Sequence, residues 1–240
     1  MSKSSPFESS MTDLMISLAL IFMLLLASVM LKIKNQEESD KAASGKTRQE
    51  LVTELTDILH TKKIEVKKDI EDPLSLVIVV GEDAETLKFK QGEHSLDIND
   101  KNFLKTIMPE IMNILYKESF RNNIDTIRIE GYTNDDGDDW LNLELSQKRA
   151  LSVLSYTLSS EIKMAEDYAT NMAIKQFIID KASINGRGEI KKYLIKNENN
   201  EVDKNKSRRV EIKIKIKSQE ERRLNEENKK ANNIETSNDQ

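Results

Sequence analysis

The polar and apolar pattern divides the chain before any motif is read. Leu14–Leu31 (LMISLALIFMLLLASVML) is an apolar run of eighteen residues with two serines and no charge. At about 1.5 Å of rise per residue, such a run approaches the length that carries a helix across a bilayer core. Pro6 suits a first helical turn, so the pattern predicts a helix from near Phe7 to about Leu31. Glu8 and Asp13 precede the run, and Lys32, Ile33 and Lys34 follow it where a signal peptide would carry small residues. The reading is a retained single-pass anchor.

Past Lys34 the chain turns polar. Leu51, Leu55, Ile58 and Leu59 recur at helical spacing and predict an amphipathic helix over Arg48–Thr61. It reads as a linker with one lightly packed face, or as a segment that stands on the membrane or pairs with a copy of itself. Strand and helix signals then alternate. Leu74–Val80 (LSLVIVV) is a continuous apolar run of strand length. Leu104, Ile107, Met108, Ile111, Ile114 and Leu115 keep helical spacing, with Pro109 expected to kink that helix or open its second half. Ile127 and Ile129 alternate with Arg128 and Glu130 in a strand over Thr126–Gly131. Ala150, Val153, Leu154 and Leu158 mark a helix over Leu141–Ser159, and Glu161–Phe177 adds a helical stretch of no evident purpose. Val210, Ile212, Ile214 and Ile216 alternate with charged residues in a half-buried strand. Strands separated by helices, with one polar sheet face, predict an α/β (α+β) arrangement of helices on a single sheet. Ser218–Gln240 is nearly free of apolar residues and predicts a short frayed helix followed by disorder.

Charge and composition narrow the chemistry. Lys+Arg total 37 against 42 Asp+Glu, a net charge of −5 that argues against general nucleic-acid binding. With no cysteine, thiolate metal sites and a Cys nucleophile are excluded, and the two histidines, His60 and His94, have no ligand spacing. No nucleophile–base constellation appears, so an enzyme is not expected. Asp13 is the residue that stands out. Ser9, Asp13 and Ser17 fall at i, i+4 and i+8, one polar stripe on the early part of the membrane helix. An acid inside a bilayer faces a partner, a cavity or an ion pathway. Alternatively the helix starts at Thr12–Asp13, and Asp13 caps its positive end. Orientation is equally open to argument, because Lys32, Lys34, Lys41 and Lys46 follow the span and would place the C-terminal domain in the cytoplasm.

One stretch resembles a known family. Ile129–Leu158 contains Gly131-Tyr132-Thr133-Asn134, then Gly137, then Asn142, Leu145, Ser146, Arg149 and Ala150. This order is similar to the signature of OmpA-like peptidoglycan-binding domains. Phe89, Gly92 and Leu96 resemble that family's first segment, and Asn185–Glu189 followed by Ser207–Ile212 its closing one. The resemblance implies helices packed on one mixed sheet and a division into 1–33 (cytoplasmic N-terminus and membrane helix), 34–72 (helical linker), 73–217 (OmpA-like domain) and 218–240 (polar tail). It also implies a wall-peptide site. Arg149 would grip a diaminopimelate carboxylate with its planar fork, while Asn142, Leu145 and Phe89 shape the pocket. The family's acid after Thr133 is Asn134 here, which accepts a hydrogen bond from an ammonium but offers no charge, so Asp135 or Asp136 would have to substitute. If neither does, the pocket is degenerate and the domain only dimerises. The acidic run Asp135–Asp139 lacks the alternation and distal Glu of an EF-hand, and no metal site is expected.

A single membrane helix with an acid at its start, a helical linker and an OmpA-like domain together resemble MotB-type stator subunits. That resemblance implies a homodimer inside a ring of about five polytopic MotA- or ZorA-like partners. Asp13, with Ser17 beside it, would carry protons or sodium ions, no cofactor being needed, and the C-terminal domain would be periplasmic, anchored to peptidoglycan from the bacterial inner membrane. The opening of the span (SSMTDLMISLALIFMLLL) is most similar to the Zorya anti-phage membrane subunit, ZorB. A flagellar MotB-type subunit and a passive wall tether are the alternatives.

Overall fold

A computed structural model describes residues 6–62, 64–69, 71–80, 87, 89–218, 220–225 and 227–228, with the backbone alone at 6–13, 36–44 and 80. The chain divides into two compact units, Met1–Ala43 and Ser44–Gln240. In chain order the elements are α1 (Pro6–Leu59), a 3₁₀ turn (His60–Lys62), β1 (Ile64–Lys68), β2 (Ser75–Val80), α2 (Ile98–Tyr116), α3 (Glu118–Arg121), β3 (Ile124–Gly131), α4 (Asp139–Leu158), α5 (Tyr168–Lys181), β4 (Ala182–Gly186), a second 3₁₀ turn (Lys191–Tyr193), α6 (Lys204–Ser207) and β5 (Val210–Ile216).

In the first unit, the 22-residue span Leu14–Asn35 contains an eighteen-residue stretch with a mean hydropathy of 2.8, none of it buried. This helix is long and apolar enough to cross a membrane. The helix expected to stop near Leu31 does not stop, since α1 is assigned without interruption to Leu59. The residues between Lys32 and Arg48 include Glu, Lys, Gln and Ala, which are strong helix formers, and no proline, and Gly45 is the weakest position among them.

The second unit is a five-stranded sheet in the order β1-β2-β5-β3-β4. All neighbours are antiparallel except β3 and β4, which run parallel. A parallel pair needs a crossover, and α4 and α5 supply it. Side chains alternate across the strands as the pattern requires. Ile127, Ile129, Ile212, Ile214, Leu76 and Ile78 join the buried core with the helices, while Arg128, Glu130, Glu211 and Lys213 fall on the opposite face.

Two segments expected to be linker belong to this unit. Leu51, Leu55 and Leu59 are fully buried in its core, and Ile64–Lys68 forms the edge strand beside β2. The apolar stripe at i, i+4 and i+8 is therefore fully packed, not lightly. The insertion also has a structural role. Only its second half is helical, and Ile162, Met164, Ile174 and Ile178 are buried in the core. Met164 is pinned through its main chain, accepting from Asn113 Nδ2 at 2.8 Å and donating to Asn171 Oδ1 at 2.7 Å. Helix α2 passes through Pro109 as one element. In the tail, residues 220–225 are helical, and Ser218 and Glu221 cap each other across 3.2 and 2.6 Å; residues 229–240 lie outside the described residues.

Candidate functional site

Helix α4 carries the site, and two glycines set its position. A Cβ on Gly131, at the end of β3, would lie 1.9 Å from the main-chain oxygen of Ser146. One on Gly186, opposite it on β4, would lie 2.6 Å from Ser146 Oγ and 2.7 Å from the Leu143 oxygen. Only glycine lets the helix backbone come this close. Polar contacts then lock the approach. Ser146 Oγ accepts from Gly188 N at 3.0 Å, and Gln147 Oε1 accepts from Gly186 N at 2.6 Å. Asp138 caps the helix by accepting from the N–H groups of Trp140 and Leu141.

Arg149, 0% exposed, lies at the centre. Its guanidinium donates to three main-chain carbonyls: Glu93 at 2.9 Å, Tyr132 at 3.0 Å and Lys90 at 3.1 Å. It also lies 5.2 Å from the centre of the Phe89 ring. Burial, then the charge of Arg208, brings this guanidinium down to about 10. Arg208 Nε donates to the Phe89 carbonyl at 3.0 Å, so two guanidiniums hold the turn that carries Phe89 and Lys90.

Next to Tyr132, Asn134 is buried and donates Nδ2 to Asp136 Oδ2 at 2.6 Å. Asn142 Nδ2 donates to the Asp136 carbonyl at 2.9 Å and to Glu189 Oε2 at 2.7 Å. Lys204 Nζ meets the other Asp136 carboxylate oxygen at 2.5 Å and holds that acid below its ordinary range. Glu189 is pushed the other way, by burial and then by its hydrogen bond with the Asp139 carboxyl. The structure thus pairs Phe89 with Arg149 and joins Asn134 to Asn142 through Asp136, the two sets linked by the main chain that runs from Tyr132 to Asn134. Leu145 is half-buried on the same face of α4 as Asn142 and Arg149. Asp135 stays exposed and acts by its charge on Lys204 and Glu189. Asp136 and Lys204 were not singled out by sequence as a pair, and Lys204 carried no signal at all. Among the described residues no group of three or more His, Asp or Glu side chains could hold a metal ion.

Behind the site, Tyr132 connects to a second buried network on the polar sheet face. Glu130, 0% exposed at its side chain, accepts from Arg187 at 2.6 Å, from Tyr132 Oη at 2.7 Å and from Lys213 at 3.0 Å. Burial alone would raise this acid, but the three donors outweigh it and bring it down to about 2. Lys213 is paired further with Asp69 at 3.1 Å.

The OmpA family pattern matches residues 88–208, half of the chain, which contain Phe89, Asn134, Asp136, Asn142, Arg149 and Lys204. The chain belongs to the OmpA family. Its OmpA domain is similar to the solved cell wall anchor of the T6SS from Pseudomonas aeruginosa, at 17% identity and a TM-score of 0.41, over 70% of this chain and 97% of that one. It is similar to the periplasmic domain of Helicobacter pylori MotB (residues 97–256) at 16% identity and a TM-score of 0.43, over 71% and 97%. The OmpA-like domain of FopA1 from Francisella tularensis subsp. tularensis SCHU S4 is similar at 17% identity and a TM-score of 0.36, over 65% and 84%. No curated protein matches the chain.

The two ion-site expectations lie on α1. Ser17 is exposed on its surface. Asp13 falls within α1, after its start at Pro6, and its side chain lies outside the described residues.

Proposed function

We propose that this chain is a single-pass inner-membrane protein whose periplasmic OmpA domain binds peptidoglycan and whose membrane helix carries ions in a stator-type complex. The observation that carries the reading is Arg149, a buried guanidinium that donates to carbonyls of three separate residues, one of them Tyr132, two positions before the Asn134 that bonds Asp136. A wall-peptide carboxylate that displaces the Lys90 and Glu93 carbonyls exchanges neutral acceptors for a bidentate charged one, the stronger pairing for a guanidinium. Phe89 and Leu145 provide the apolar flank.

The ion-carrying half rests on Asp13 beside the apolar span Leu14–Asn35. An acid there is costly unless it faces a partner or an aqueous path, and Ser17 adds a hydroxyl one turn on. In this reading two chains stand inside a closed ring of about five polytopic MotA- or ZorA-like subunits. Wall binding holds the complex still while protons or sodium ions pass Asp13. The opening of the span favours the ZorB role in Zorya anti-phage defence over flagellar motility.

Two measurements test it. Full-length protein in mild detergent is sedimented with purified cell-wall sacculi: wild type co-sediments, and Arg149→Ala of unchanged helix content stays in solution. Equal sedimentation of the two removes Arg149 from the site. Native mass spectrometry of the membrane extract tests the stator half, which fails if the chain flies without a multi-span partner.

A further inference from the structure

Asp100 is a buried acid that the wall-binding reading does not use. It lies in the first turn of α2, 4% exposed, and each of its carboxylate oxygens accepts a main-chain N–H: Oδ1 that of Leu87 at 2.7 Å, and Oδ2 that of Asp97 at 3.1 Å. Asp97 Oδ1 accepts in return from Asp100 N at 2.9 Å. One carboxylate therefore clasps both ends of the loop that carries Phe89. The clasp also fixes a strained residue. Leu87 has a φ of +57°, a conformation that costs a bulky residue energy and persists only where its surroundings impose it. Burial pushes the Asp100 carboxyl up in spite of the two N–H donors, and the charge of Asp97 adds to that push.

Between those ends, every residue from Lys90 to Ser95 is exposed. Glu93 N closes a turn on the Lys90 carbonyl at 3.1 Å, with Gly92 at a φ of +73°. The crown of that turn rests on Arg149, which donates to the carbonyls of Lys90 and Glu93 at 3.1 and 2.9 Å. Phe89 is anchored separately, 3% exposed in the core and with its carbonyl on Arg208 at 3.0 Å.

We infer that residues 90–95 form a lid on Arg149, and that Asp100 is the positioning residue that fixes both feet of the loop while its crown opens. The carbonyls of the lid are an internal competitor. A wall-peptide carboxylate that takes Arg149 has to lift them, so the closed fraction lowers the apparent affinity. With the feet fixed, only a short exposed turn is freed, and it recloses on Arg149 when the ligand leaves.

This inference rests on the wall-binding reading and is tested apart from it. Full-length protein in detergent is digested briefly with trypsin, and mass spectrometry follows the cut after Lys90. Soluble muropeptides, at concentrations that release the protein from sacculi, are expected to speed that cut about fivefold or more in wild type, because a bound carboxylate frees the Lys90 carbonyl. Protection of that bond, or no change, overturns the lid. In Asp100→Asn, hydrogen exchange at the Leu87 and Asp97 amides is expected to quicken about tenfold or more, the scale of one hydrogen bond to a charged group. Sacculus binding by the same variant is expected to tighten by up to about fivefold, because the competitor is lifted more of the time. A purely structural role would weaken binding as exchange quickens, and unchanged exchange would remove the clasp; either result overturns the inference while the wall-binding reading stands. If wild type binds no sacculi, that reading falls and the lid falls with it.

Discussion

Replacing Gly131 by alanine tests the claim that two glycines place α4 and, with it, the whole site. The added methyl carbon would lie 1.9 Å from the Ser146 oxygen and 2.8 Å from its carbonyl carbon. Both atoms are main chain, so no side-chain rotation relieves the clash, and the helix must retreat by about 1.5 Å or more to regain ordinary contact. That movement strains the Gly188 N–H to Ser146 hydrogen bond at 3.0 Å, the Gly186 N–H to Gln147 bond at 2.6 Å and the Arg149 bond to Tyr132 at 3.0 Å. Overpacking of a close contact costs about 1–3 kcal/mol. Each weakened hydrogen bond adds about 1 kcal/mol. A total on the order of 4–6 kcal/mol is a large part of a domain's stability. The assay is urea unfolding of the full-length protein in detergent, followed by far-UV circular dichroism. Gly45→Ala is the internal control, since that position lies mid-helix with nothing within 4 Å of the new carbon, and it should be neutral or slightly stabilising. Sacculus binding should fall with Gly131→Ala, because Asn142, Leu145 and Arg149 all move with α4. A Gly131→Ala protein within about 1 kcal/mol of wild type would refute the close-approach argument.

Two further outcomes follow from the buried acid and the membrane acid. Glu130 sits at about 2 in the fold against an ordinary 4.5, so its contribution is present above about pH 4.5 and is lost as pH falls toward 2. The gap corresponds to something on the order of 3 kcal/mol; Glu130→Gln should be less stable at pH 7, with a flatter acid limb in urea midpoints measured from pH 7 to 2, and parallel curves would contradict the network. For the ion pathway, Asp13→Asn should abolish biological activity, read as phage resistance or swimming, while the protein still inserts and co-purifies with its partner; retained activity would end the carrier role.

The close contacts of the site divide cleanly into what local pattern can and cannot convey. Strand β5 and the body of α4 are written in their own periodicity, two residues in one case and 3.6 in the other, because each buries one face against the same core. The apolar N-terminal helix is equally plain, since eighteen uncharged residues, all but two of them apolar, have few other solutions. Ile64–Lys68 was not legible as a strand: five residues with two apolar positions become a strand only because β2 offers an edge with matching register. Leu51, Leu55 and Leu59 announced an apolar stripe but not its partner, and the core that buries them is assembled from residues far along the chain.

The sequence by itself determined most of the helices and strands, that one face of the sheet is apolar, and that the motif residues Gly131, Asn142, Arg149 and Gly186 belong together. Only the tertiary structure decided what those residues touch. Arg149 proved to be buried on carbonyls contributed by residues 56 and 59 positions away, and Asp136 to be paired with a lysine 68 positions on. The reason is physical. Periodicity records a residue's relation to its own helix or strand, whereas a hydrogen bond between distant loops exists only once the core has packed and brought both ends within 3 Å.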